Sequence, residues 1–165
     1  MLETVLAVIF VTFAFLVLFQ FSHWLTARIL TEHAAARAAR ARAVGLNDFM
    51  CRKSARVAVI PAAGRLLWPG EDDLAEGEEL WRVSDYLCSE NWGRANGILD
   101  YERWHTMDFD LKTGFGNGST CSADVGLRMP RFIGGGDDAC ESGVRIGGSA
   151  EVESHFPLYM NNQGL

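Results

Sequence analysis

Four cysteines, Cys51, Cys88, Cys121 and Cys140, are the residues of this chain most capable of chemistry. None forms a Cys-x-x-Cys pair, which weakens zinc and thioredoxin-like readings, and no Cys-x-x-Cys-His motif is present to attach a c-type haem. An even number of scattered cysteines in an acidic, Gly-rich region suits two disulfides in an oxidising compartment. The histidines, His23, His33, His105 and His155, are dispersed, and no two stand at i, i+4 as a helical metal pair would. Asp137 and Asp138 follow three glycines and could offer oxygens to calcium, but the EF-hand pattern is absent and a solvated turn is the simpler reading. Asn117-Gly118-Ser119 matches a glycosylation sequon, a short pattern that arises often by chance. The glycines at 134–136 and 147–148 do not open a helix, so phosphate cradling is not indicated, and no Gly-x-Ser-x-Gly elbow exists. The sequence therefore predicts no catalytic residue, no metal site and no cofactor, and the chain is read as a non-enzyme.

The remaining chemistry lies in charge and apolarity. The chain has 165 residues and a net charge of −6, which argues against a general nucleic-acid binder. That average conceals two unlike halves. Residues 1–60 carry seven Lys/Arg and three Asp/Glu, net +4, whereas residues 61–165 carry eight and eighteen, net −10. From Thr4 to Ala27 no charged residue occurs in 24 positions, and five of the ten Phe fall there. About 20 apolar residues suffice to cross a bilayer, so this stretch is long enough to do so.

A cleaved secretory signal fits poorly, because Met1-Leu2-Glu3 is not basic and the apolar run exceeds the usual ~7–15 residues. The basic flank, Arg28, Arg37, Arg40 and Arg42, would by itself place the C-terminal part in the cytoplasm. Disulfides would place it outside. A short basic leader, once present before Met1 and removed, reconciles the two.

Helix-forming sequence continues past the apolar run through Ile29 and the Ala/Arg-rich stretch 34–44. Gly45 and Asn47 are weak points, but Phe49, Met50, Arg52, Val57 and Val59 can carry the helix on to Pro61. A helix over 2–60 would be roughly 90 Å long and would need partners along its length. Ala34, Ala38 and Ala41 would let neighbouring helices approach closely, with the interleaved arginines as a cationic collar. A solvated juxtamembrane helix against anionic lipid is the plainer alternative.

An acid at the start of an apolar helix, the run His33-Ala34-Ala35-Ala36-Arg37-Ala38-Ala39-Arg40 and a small head with cysteines together resemble a type IV-like pilin, closest to the TadE-like pilins of the tight-adherence family. The match covers residues 1–60. It departs from the pattern in one respect: the acid stands at position 3, where the family places it fifth after leader cleavage. The resemblance implies a filament subunit held in the inner membrane before assembly, handled by a prepilin peptidase and pilus assembly machinery, with homo-oligomeric helical packing and a final place on the cell surface. It also implies that Glu3 pairs with the N-terminal amine, at Met1, of a neighbouring subunit. The alternative for Glu3 is an interfacial position favoured by the helix N-terminus.

Residues 61–165 read as the head. Residues 61–70 suggest a loop or short extended segment. A helix is expected from Asp72-Asp73 to about Cys88, with Leu80, Val83 and Leu87 on one face, and a second over Arg94 to Trp104. Period-two alternation marks three strands, around Met107–Leu111, Ala123–Met129 and Ala150–Met160, joined by Gly-rich links at 114–120 and 134–148. Their apolar face needs a cover, which the C-terminal half of the long helix supplies. The expected fold is α+β: a long N-terminal stalk or transmembrane helix, and a head of short helices with an antiparallel sheet of about three strands.

Cys51 stands late on the long helix and Cys88 ends the helix expected beside it, while Cys121 and Cys140 flank the second strand and its Gly-rich exit, which suggests the pairs Cys51–Cys88 and Cys121–Cys140 out of three possible pairings. Assembly is expected through Leu6, Phe10, Phe13, Leu16, Val17 and Phe21 against sister helices, and through Arg37, Arg40 and Arg42 against acids of adjacent heads. Three readings stay open: a filament subunit, a single-pass membrane protein with an extracytoplasmic binding or sensor domain, and a minor pilin or pseudopilin.

Overall fold

The computed structural model describes residues 2–70, 78–113, 120–130 and 143–154. Helix α1 spans Leu2–Ala43 and α2 spans Asp48–Ala58. The expected helix over 2–60 is thus two helices, and α1 is about 63 Å long rather than 90 Å. The break has local causes. Gly45 takes a left-handed φ of 91°, which Gly adopts without steric cost. Its amide donates to the Arg42 carbonyl at 2.9 Å, and the Leu46 amide donates to the Ala41 carbonyl at 3.1 Å, closing the end of α1. Asn47 then caps α2, its Oδ1 accepting from the Met50 amide at 2.8 Å. The two weak points of the sequence are therefore a helix stop and a helix start.

Folded back, α2 packs on α1 through small side chains. Ala34, Ala35, Ala38 and Ala39 of α1, Ala55 and Ala58 of α2 and Val59 just after it share one buried cluster. Of the alanines expected to let neighbouring helices approach closely, Ala34 and Ala38 admit the chain's own second helix and its sheet, and Ala41 is half-buried. A 3-10 turn over Ile60–Ala62, with Pro61 in its first turn, ends the hairpin.

The main sheet has the order β3-β4-β5, antiparallel throughout, from β3 (Asp108–Thr113), β4 (Thr120–Met129) and β5 (Val144–Glu153). The alternation read from the sequence sets its faces. Rows Thr113–Cys121–Val152, Leu111–Ala123–Ala150 and Phe109–Val125–Gly148 point inward, and Leu127 with Ile146 and Met129 with Val144 complete that face. As expected, the C-terminal half of α1 covers it, with β4 and β5 lying against the helix. Strand β5 starts at Val144, inside the span expected to be a Gly-rich link, and runs along α1 in the same direction. Gly148 meets the backbone of Thr31 and Glu32, and Ser154 Oγ reaches the Ala43 carbonyl at 3.3 Å.

The remaining elements close the head. Helix α3 (Glu78–Cys88) ends where expected, but its packed face is centred on buried Tyr86, and Leu80 is 81% exposed. The second expected helix is short, α4 (Trp92–Asn96), capped by Asn91. After it come β2 (Asp100–Tyr101) and a 3-10 turn over Glu102–Trp104. Strand β2 pairs with β1 (Leu66–Trp68), a second, two-stranded sheet that alternation does not reveal in segments of two and three residues. Trp104 and Tyr86, with ring centroids 5.1 Å apart, fill the core between these elements. The core runs without interruption from α1 and α2 into residues beyond 61, including Tyr86, Leu99, Trp104, Ala123 and Val125.

Candidate functional site

Two halves of α1 have opposite surroundings. From Leu2 to Phe19 every side chain is exposed except Ala14, which is partly so. At Gln20 burial begins, and its Nε2 donates to the Pro130 carbonyl at 3.4 Å. The free stem is thus 18 residues, about 27 Å of helix, close to the ~30 Å of a bilayer's hydrocarbon. This one helix is long and apolar enough to cross a membrane. Leu6, Phe10, Phe13, Leu16, Val17 and Phe21 are between 43% and 73% exposed and share one side of the helix, and the apolar residues around them are exposed as well. Water does not tolerate such a surface, so lipid or other helices must cover it. Glu3 lies in its first turn. Met1 lies outside the described residues, as do Cys140, Asn117, Asp137, Asp138, His155, the Asp72-Asp73 helix start and the strand positions expected beyond residue 154.

The boundary between stem and head has a distinct lining. Phe21, Trp24, Leu25 and Arg28, one face of α1, meet Val144, Arg145, Ile146 and Gly147 of β5 around a groove of about 340 Å³. Its two cations are balanced within the chain. Arg28 Nε lies 3.2 Å from Glu32, and Arg145 Nε lies 2.8 Å from Asp108. To reach Asp108 on β3, Arg145 crosses over Gly126 of β4, where a Cβ would stand 2.8 Å from its Nε.

The three collar arginines separate. Arg37 and Arg40 are exposed on α1. Arg42 is used inside the chain: its Nη1 lies 2.9 Å from Asp48 Oδ1 and donates to the Leu46 carbonyl at 3.3 Å, and its Nε donates to Thr113 Oγ1 at 3.2 Å. Within the chain Arg42 is a clasp holding the α1–α2 turn to the end of β3.

Cys51, Cys88 and Cys121 are free thiols. The expected Cys51–Cys88 bond is not formed, and the geometry of α2 gives the reason. Lys53 Nζ donates to the carbonyls of Leu87 at 2.8 Å and Ser89 at 2.7 Å, on either side of exposed Cys88. Two residues along a helix is a rotation of about 200°, so if Lys53 faces the end of α3, Cys51 faces away from it. Cys51 Sγ instead donates to the Leu46 carbonyl at 3.6 Å.

Lys53 is the residue that sequence reading missed. It is fully buried in the second helix, and no acid neutralises it among the described contacts. Its ammonium caps the C-terminal end of α3, where carbonyls lack helical partners, and lies 4.4 Å from the centre of the Phe49 ring. Burial lowers its pKa from the ordinary lysine value, partly offset by Cys88. A lysine two residues after a cysteine carries no pattern that would announce this.

Among the described residues no group of three or more His, Cys, Asp or Glu could hold a metal. The described histidines serve other contacts or stand at the surface: His23 stacks on Phe19, His105 Nε2 lies 2.9 Å from Asp100 Oδ2, and His33 is exposed. The surface with functional character is therefore the bare apolar stem with its boundary groove and the arginines above it. Comparison with protein-family models, curated proteins and solved structures finds no match.

Proposed function

We propose that the chain is a structural subunit of a type IV pilus-like extracellular filament, held by its stem in the inner membrane before assembly. The observation that carries this reading is the 18-residue apolar stem, exposed all round and continuous through one unbroken helix with a well-packed head. Withdrawn from lipid, such a stem needs other stems. Burying a large apolar side chain stabilises by ~1.5–3 kcal/mol, so six of them outweigh the cost of association. Exposed Arg37 and Arg40 stand above the stem, and acids such as Asp110, Asp124, Glu151 and Glu153 line the wet face of the sheet, so adjacent copies offer opposite charges. Glu3 would meet the N-terminal amine of a neighbour, which neutralises its charge inside the stem bundle. A prepilin peptidase and pilus assembly machinery are the partners this reading requires, and no enzymatic activity or cofactor enters it.

A second reading is favoured by the break at Gly45. Above the stem, α2 and the sheet occupy one side of α1, so no length of helix exposed all round remains there for sister subunits. A single-pass membrane protein with an extracytoplasmic binding or sensor domain needs only the stem.

Microscopy of shed surface material and reconstruction of the native assembly separate the two. The filament reading expects stems packed in a helical core. It also expects Phe13→Asp to abolish fibres, since the aspartate would be buried without a partner, and Leu16→Ala to weaken them without loss. Discrete monomers confined to membranes would overturn it in favour of the anchored domain.

A further inference from the structure

We propose that Cys51 and Cys121 are partners in a disulfide that joins α2 to β4 beside the α1–α2 turn. Both side chains are buried, 0% and 1% exposed. On one side, Cys51 Sγ and Arg42 Nη1 donate to the same acceptor, the Leu46 carbonyl, and Arg42 also holds Asp48 in the first turn of α2. On the other side, Arg42 Nε donates to Thr113 Oγ1, and Thr113 is the residue directly opposite Cys121 in the β3–β4 ladder. Opposed residues on one sheet face have Cβ atoms about 4.5–5.5 Å apart. One guanidinium thus spans from the backbone that holds Cys51 to the row that holds Cys121. The electrostatics agree: burial above all raises the Cys51 pKa, Arg42 opposes that, and charge on Asp48 and on Cys121 raises it further. Cys88 is excluded by the same helix rotation that aims Lys53 at Leu87 and Ser89.

The oxidant is a small or protein disulfide of the oxidising compartment, so for its occurrence in the cell the inference rests on the extracytoplasmic placement of the head. While the head is still open, one of the two cysteines loses its proton to solvent, and the thiolate attacks the oxidant disulfide, forming a mixed disulfide and releasing one thiolate. The second cysteine, deprotonated in turn, attacks the protein sulfur of the mixed disulfide and expels the other thiolate. Two cysteine sulfurs are oxidised, one disulfide is reduced to two thiols, and the protons balance. Closure of the head then buries the bond. Cys88, exposed on the far side of α2, remains available to reagents.

The test refolds the full chain in detergent in a glutathione redox buffer, followed by peptide mapping without reduction. The expected result is a peptide pair joining Cys51 to Cys121, formed equally in the variant Cys88→Ser/Cys140→Ser. The oxidised chain should unfold at a higher denaturant concentration than the reduced chain, and this shift should vanish on adding reductant and be absent from Cys121→Ala. In the native reduced chain, a maleimide should label Cys88 many-fold faster than Cys51 or Cys121. A Cys51–Cys88 or Cys121–Cys140 linkage, or thiols at 51 and 121 that stay free in this buffer, overturns the pairing. Because the oxidant is supplied in the tube, that failure is independent of the filament reading, which stands or falls on the microscopy above.

Discussion

Lys53 Nζ donates to Ser89 twice, to its carbonyl at 2.7 Å and to its hydroxyl at 3.0 Å, from a position with no exposure to solvent. Ser89 Oγ in turn donates to the Tyr86 carbonyl at 2.6 Å, so the end of α3 is fastened by one side chain reaching out of α2. Removing the donor leaves the carbonyls of Leu87 and Ser89 without it. Lys53→Ala should destabilise the head by about 1.5–3 kcal/mol, the range of hydrogen bonds to a charged group. Lys53→Met should fall closer to the wild type, since it keeps the stem and removes a buried charge together with its desolvation cost. Denaturant unfolding of the detergent-solubilised chain, followed by Trp fluorescence, distinguishes the two.

Alkaline pH should act through Cys51 first. Burial raises its pKa above 9.0, so between 9.0 and the folded value the unfolded chain gives up a proton that the folded chain retains. Stability from this group is complete below pH 9 and is lost as pH rises through the folded pKa. Tyr86, raised chiefly by burial, acts in the same direction above pH 10. Lys53 acts oppositely: its lowered folded pKa makes stability rise as pH climbs toward 10.5. With thiols kept reduced, unfolding midpoints should be flat with respect to these groups from pH 7 to about 8, and a decline should begin near 9. In Cys51→Ala the onset should move to higher pH. An unchanged onset would remove Cys51 from the account.

Gly148 and Gly147 should respond differently to the same substitution. A Cβ on Gly148 would collide with the backbone of Glu32 and lie 2.6 Å from the Thr31 carbonyl carbon, atoms of a helix that cannot rotate away. On Gly147 the nearest atom is the Val125 carbonyl oxygen at an ordinary 3.6 Å. Gly148→Ala should therefore cost about 1–3 kcal/mol or more, as overpacking does, while Gly147→Ala stays within ~0.5 kcal/mol. Thermal unfolding of the pair under one set of conditions provides the comparison.

The arginines should divide between folding and association. Arg42→Ala removes the clasp on Asp48, Leu46 and Thr113 and should lower head stability by about 1 kcal/mol, a modest figure because the site is partly solvated. Arg40→Ala should leave it within ~0.5 kcal/mol. If assembly uses the exposed collar, Arg40→Glu should yield filaments that dissociate at lower salt than the wild type. Wild-type salt resistance in Arg40→Glu would remove the collar from the assembly account, and equal stability losses in the two alanine variants would refute the division of labour.

The period-two runs at 107–111 and 123–129 were legible because a sheet with one dry face imposes strict alternation, and those parities are the ones that face the core. The same holds for the uncharged run 4–27, which by length and composition alone defines a stem that water cannot surround. The division at residue 45 showed only as two weak points, Gly45 and Asn47, because helix propensity on both sides favours a continuous helix. Other features depended on where chain segments meet. Whether Ala34, Ala35, Ala38 and Ala39 face a neighbour or the chain's own α2 depends on a turn folding back, and small side chains permit both. The partner of Cys51 depends on which way α2 is rotated, a property set by Lys53 finding the end of α3 across 34 residues of sequence. Local patterns determine which surfaces must be dry, because periodicity and apolarity are written residue by residue. Only the tertiary structure decides what covers each surface, because close packing selects among partners that sequence treats as equivalent.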